Sequence, residues 1–160
     1  MTIFAPEERA LSLDLLTIPG ANLLSLAATL DPLRAANRIG GRRLYRWRVV
    51  TPDGAGAALG AGFAAPDDGA FDPAAQHDAL VVIASFDWRP RATPALLGAL
   101  RAAARRRRAV GGVEAGSWLL AQAGLLDGRR ATTHCEDFEA FALAHPEIAV
   151  VPDRVVIDGP

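Results

Sequence analysis

Glu114 is the residue around which the chemistry of this chain is organised. It sits in Gly112-Val113-Glu114-Ala115-Gly116-Ser117-Trp118, directly after the apolar run Ala109 to Val113 and before an amphipathic segment, Trp118 to Leu126. An apolar run ending in Gly-x-Glu-x-Gly and passing at once into a helical pattern reads as a strand–turn–helix elbow. Such an elbow lifts one side chain out of a sheet and aims it at a ligand crevice. Hydrolytic enzymes carry Ser or Cys at this tip; here it is a carboxylate, a poor substitute for a thiolate. Backbone N–H groups of Ala115 and Gly116, at the start of the helix, are expected to face it. His134, placed at the first turn of a later helix, is the candidate partner for Glu114 or for a ligand carboxylate. Trp88 and Trp118 are expected to flank the crevice and, beside an acid, to offer a seat for an amine or quaternary ammonium group. Ser85 and Phe86 follow a buried strand and are positioned to make backbone contacts. Asn22 and Ser25 stand where a long helix begins, as capping residues and crevice neighbours.

Other chemistries lack their residues. The three histidines, His77, His134 and His145, have no metal-site spacing, and a metal needs three or more convergent ligands. Gly54 to Gly62 is glycine-rich but has neither the order of a dinucleotide fingerprint nor the lysine of a phosphate loop. No cofactor is implied. Cys135 is the sole cysteine, so no internal disulfide forms, which fits a reducing cytoplasm.

The elements that position these residues follow from periodicity. Leu11 to Ile18 reads as a strand closed by Pro19-Gly20. Leu23 to Arg38 carries Leu23, Leu26, Leu30 and Leu33 at helical spacing, with a bend expected at Asp31-Pro32. Tyr45 to Thr51 alternates as a strand, Asp53 to Pro66 reads as a hairpin or loop, and Ala79 to Ala84 is apolar throughout, as in a strand buried on both faces. Thr93-Pro94 opens a helix with Leu96, Leu97 and Leu100 inward, closed by Arg105 to Arg108, which read as a solvated helix end, the functional alternative being a patch for nucleic acid or an acidic partner. Thr133-x-x-Glu136 is a capping box for a helix Glu136 to Ala144. Two short strands, Ile148 to Val151 and Arg154 to Ile157, complete the pattern. Strands alternating with helices predict an α/β fold with a mostly parallel central sheet. Its ligand crevice then lies beyond the strands' carboxyl ends, at Pro19 to Ser25, Ser85 to Trp88 and Glu114 to Trp118.

At 160 residues the chain suffices for one domain with a full core. All 17 basic residues are arginine, as in a GC-rich bacterial genome, and the net charge of −1 predicts no overall basic face for nucleic acid. No signal peptide or membrane span is apparent. The strand-like end running into Gly159-Pro160 reads as a break within a longer chain.

The chain resembles the class I glutamine amidotransferase-like superfamily, in its PfpI-type branch. Within it, it is most similar to the N-terminal domain of GlxA-type AraC-family transcription regulators. The match rests on Leu16-Thr17-Ile18-Pro19-Gly20 with Leu24 and Ser25, on Asp31 to Asn37, on the elbow continued through Ala123 to His134, and on Val155 to Gly159. The resemblance implies a flavodoxin-like three-layer sandwich and a sensory and dimerisation domain, residues 1–160, that continues further. It implies a small-molecule effector, a homodimer, a cytoplasmic location, and DNA engaged only through a helix-turn-helix domain absent from this sequence. Superfamily enzymes place Cys at the position of Glu114, often His at that of His134, and many an acid near Ser25. Loss of the thiol speaks against catalysis; the alternative is a PfpI-like amidase, glyoxalase or hydratase using Glu114 and His134.

Overall fold

A computed structural model of the chain describes residues 8–60 and 62–159. Four strands form a parallel sheet: β1 (Leu11–Thr17), β2 (Tyr45–Val50), β5 (Ala79–Ala84) and β6 (Ala109–Glu114), in the order β2-β1-β5-β6. Between them lie α1 (Leu23–Ile39), the small antiparallel pair β3 (Ala57–Ala58) and β4 (Ala64–Ala65), and α2 (Pro94–Ala104). After β6 come α3 (Gly116–Gln122), β7 (Arg130–Ala131), α4 (Phe138–Ala144) and β8 (Ala149–Val150), with β7 and β8 pairing in parallel.

Strand alternation splits the core in two. Leu13 and Leu15 of β1, Val49 of β2 and Ile83 of β5 pack under Leu23, Leu26 and Leu30 of α1. On the other face Leu16, Val50, Leu80 and Val82 meet Leu96 and Leu100 of α2, Leu119 and Leu120 of α3, and Phe141 of α4. This is the three-layer sandwich expected. The outer edge of β2 is covered by residues 68–71, with Asp68 N donating to Val49 O (2.7 Å) and Phe71 N to Thr51 O (2.8 Å).

Several expectations change. Helix α1 continues through Pro32: the interior hydrogen bond that proline forfeits is outweighed by Leu23, Leu26 and Leu30 packing on the sheet. The elbow helix stops at Gln122, well short of Leu126, where Gly124 takes a left-handed turn (φ 70°). Glu136 does not open an α-helix directly: a 3₁₀ turn over Cys135–Asp137 precedes α4. Arg154 to Ile157 is not a strand, since no neighbour among the described residues offers it a ladder, and Val155 and Ile157 are exposed. A 3₁₀ turn over Phe86–Arg91, unanticipated, follows β5.

Candidate functional site

The elbow exists, and its glycines are demanded by packing. A Cβ on Gly116 would run into the carbonyl of Val82, so α3 rests directly on the backbone of β5. A Cβ on Gly112 would fall 2.5 Å from Ser117 N, where α3 folds back over β6. Between these two constraints the chain must turn sharply, and Glu114 takes up the turn with φ 52°. It is the one non-glycine residue with positive φ among the described residues. A left-handed conformation costs a side-chain-bearing residue about 1–2 kcal/mol. The strain is concentrated at the tip of the elbow.

Ser25, on the first turn of α1, donates a short hydrogen bond from its hydroxyl to Glu114 Oε1. Ser25 is buried and Glu114 half-buried. The acid thus stands at the elbow and the hydroxyl that meets it on α1. A carboxylate accepts at about four lone-pair positions, so one Ser25 bond leaves Glu114 with acceptor capacity on its other oxygen.

Asn22 caps α1 as expected, its Oδ1 accepting from Leu24 N at 2.9 Å. Ser25, by contrast, is no cap: its hydroxyl is spent on Glu114. The N–H of Ala115 does not face the carboxylate either; it donates to Ala84 O (3.2 Å), extending the β5–β6 ladder by one bond. Ser117 Oγ donates to Glu114 O (2.9 Å) and lies 2.8 Å from Thr133 Oγ1, tying the elbow to the loop that carries His134. His134 forms no hydrogen bond with Glu114 among the described residues. Its Nδ1 instead accepts from Glu136 N (3.3 Å), so His134, not Thr133, caps the turn that begins there. Its ring meets that of Phe86 edge to face at 5.5 Å. Phe86 is more than half exposed, as is Leu24 beside Ser25. Glu114 and Ser25 thus meet at the elbow, and Phe86 and His134 pack on each other from the segments that follow β5 and β7.

The tryptophans do not line this crevice. Trp88 and Trp118 are 3% and 4% exposed and stack on each other at 5.1 Å. Trp118 also meets Phe141 at 5.0 Å and His145 at 5.7 Å. A residue opening α3 with its side chain toward α2 and α4 falls into the core, where an indole buries more area than any other side chain. Arg89 lies over both indoles, 5.0 Å and 5.6 Å from the ring centroids, so a cation already belongs to this stack. Ser85 is buried and accepts from Trp88 N through its carbonyl (3.2 Å), opening the 3₁₀ turn. A cleft of about 180 Å³ opens nearby between Pro19, Pro52, Asp53, Pro90, Arg91, Thr93 and Leu96, and does not include Glu114.

Sequence reasoning missed a polar network at the opposite end of the sheet. Asp14, on β1, is 1% exposed. Arg107 Nη2 donates to Asp14 Oδ2 (2.9 Å), and His77 Nδ1 lies 2.7 Å from Oδ1. The same guanidinium reaches the carbonyls of Asp72 and Ala75. Arg107 is therefore a buried strut, in contrast to the solvated helix end expected of the arginine run. Alongside, Asp78 receives Arg9 in a two-pronged contact (2.6 and 2.8 Å) together with Ser12 N and Oγ. Arg9 above all holds the Asp78 carboxyl far below the usual carboxylate range, against the opposing effect of burial. The available signal was Asp14 itself, an acid inside an apolar strand, which must find a cation.

No protein-family model matches the chain. Named proteins do. The HTH-type transcriptional regulator CdhR of Pseudomonas aeruginosa is 41% identical over 145 residues, covering 91% of this chain and 43% of that protein. The HTH-type transcriptional regulator GlxA of Rhizobium meliloti is 34% identical over 143 residues, covering 86% and 43%. The chain thus spans less than half the length of these regulators. Two solved structures share the fold. An AraC family transcriptional regulator from Pseudomonas putida superposes with a TM-score of 0.77 at 21% identity, over 92% of this chain and 80% of that one. A THiJ/PfpI family protein from Pseudomonas syringae gives 0.76 at 22%, over 94% and 60%. Among the described residues, no helix is long and apolar enough to cross a membrane.

Proposed function

We propose that this chain, which belongs to the PfpI-like domains of the GlxA-type transcriptional regulators, is a sensor: it binds a small, amine-bearing metabolite at the elbow and passes the event to a DNA-binding domain. The observation that carries this reading is the Ser25–Glu114 contact at a strained elbow tip. A carboxylate there is a weak nucleophile toward acyl carbon, and no hydrogen bond joins it to His134 as a base would require. It is, however, a good receptor for a cationic nitrogen, with one oxygen still able to accept. Leu24 and Phe86, both exposed, would be available to cover the ligand's carbon skeleton. The signal is a population shift: a ligand that contacts the elbow differently in two arrangements of a homodimer biases the one it prefers. A cytoplasmic location follows from that role.

The test is a thermal-shift and calorimetry screen of amines, amino acids and quaternary ammonium compounds. A ligand at 100 times its dissociation constant adds about 2.7 kcal/mol of stability. Glu114→Ala is expected to weaken such a ligand at least tenfold while leaving the melting temperature within a few degrees. Unchanged affinity would remove Glu114 from the site. Turnover of an amidase, glyoxalase or hydratase substrate that Glu114→Gln abolishes would replace the sensor reading with an enzymatic one.

A further inference from the structure

We propose that the amino end of the sheet, remote from the elbow, is a second binding surface, and that its ligand is the sugar–phosphate backbone of DNA. The net charge of −1 conceals a separation that the fold creates. Residues 38–48 hold five arginines and no acid, and 105–108 are four arginines in a row; residues 109–159 hold eight acids against three arginines. Because every strand of the main sheet is parallel, the loop between α1 and β2 and the loop between α2 and β6 open on the same edge. They stand at opposite ends of the strand order, three inter-strand spacings or about 14 Å apart. Arg42, Arg43 and Arg46 lie at one side and Arg105 and Arg106 at the other, all exposed and none in an ion pair among the described residues.

Two of the acids between them are withdrawn from solvent. Asp14 and Asp78 are 1% and 6% exposed and are taken up by Arg107, Arg9 and Arg108. Glu8 and Asp72 are exposed acids that remain among the described residues there, Asp72 with one carboxylate oxygen accepting from Ala74 N. Arg105 sits at the carboxyl end of α2, where it also complements the helix dipole. Arg42, Arg43 and Arg46 follow no such rule, since they lie outside any helix. Arg43 and Arg46, with Asn37, Tyr45 and Trp47, line a cleft of about 370 Å³. Asn37 fixes its floor by accepting from Leu44 N and Tyr45 N and donating to Tyr45 O.

A charged stripe about 14 Å wide, supplied from two sides and neutralised from within, suits a regular row of anions better than one compact acid. Duplex DNA presents one charge per about 1.7 Å of axis, about eight across this width. Membership of a DNA-binding regulator family brings such a duplex within reach. The inference goes beyond the sensor reading and does not depend on the elbow.

The experiment is fluorescence anisotropy of a labelled random-sequence duplex with the 160-residue chain at 50 and 200 mM salt. Binding at low salt is expected to weaken at least tenfold at the higher salt. Arg42→Ala/Arg43→Ala/Arg46→Ala should cost at least tenfold at 50 mM and lower the salt slope by about 2–3. Arg105→Ala/Arg106→Ala should lower it by about 1–2 and serves as a second variant if the triple loses its circular-dichroism signature. Arg91→Ala/Arg129→Ala/Arg154→Ala removes the same charge elsewhere and should leave affinity within twofold. No binding at 50 mM, equal losses in both triples, or competition by polyglutamate as effective as by DNA would overturn the proposal.

Discussion

The two ends of the parallel sheet are built on opposite principles. At the amino end, buried acids and arginines satisfy one another: Asp14 with Arg107 and His77, and Asp78 with Arg9, Arg108 and Ser12. At the carboxyl end, an acid in strained backbone is half-buried and bonded by a single hydroxyl, Ser25. One end spends its buried charges on each other, and the other keeps polar capacity in reserve. That difference is what separates a scaffold from a receptor. Stability should therefore be lost mainly through the amino end, and ligand response mainly through the carboxyl end.

The largest effect is expected from Arg107→Ala. It strands Asp14 in the core and should cost about 3–5 kcal/mol in urea unfolding, the penalty of an uncompensated buried charge. A loss under 1 kcal/mol would show that His77 alone satisfies Asp14. Next comes Gly116→Ala, whose Cβ meets the Val82 carbonyl and must push α3 off β5, at about 2–3 kcal/mol; a silent substitution would refute the close-contact account of the elbow.

Asp78→Asn is expected to cost about 2 kcal/mol at pH 7, in the range for hydrogen bonds to a charged group. The dependence on pH carries a sign. The folded carboxyl titrates below its unfolded value of about 3.9. Its stabilisation is therefore complete above about pH 5 and drains away as pH falls through the unfolded value toward the folded one. Melting temperatures of wild type and Asp78→Asn should converge between pH 5 and pH 2.5; a constant gap would mean that the carboxylate is not the stabilising form. The smallest effect belongs to Glu114→Gly. Relief of the left-handed strain offsets the lost Ser25 bond, so stability should move by less than about 1 kcal/mol while binding of the effector is lost. A large destabilisation would make Glu114 a structural residue and erase the contrast between the ends.

Much of this was readable along the chain because it is local. The β-α alternation, the Asn22 cap, the Thr93-Pro94 helix start and the Gly-x-Glu-x-Gly elbow each follow from residues a few positions apart. Backbone sterics and helix or strand periodicity act over that range. The acid at the elbow tip was equally visible, since it is one residue at one motif position.

What no local pattern could supply were pairings across the sheet. Ser25 and Glu114 are 89 positions apart, and Asp14 and Arg107 are 93. Each contact depends on which strands become neighbours. Whether Trp118 faces a crevice or the core depends likewise on how α2 and α4 dock around α3, and Arg107 left the solvated run because Asp14 waited behind it. Sequence alone determined that this chain builds an elbow and arms it with an acid. Tertiary structure decided which hydroxyl meets that acid, which arginines are buried and which gather on one edge, because a parallel order of strands joins loops that the covalent chain keeps far apart.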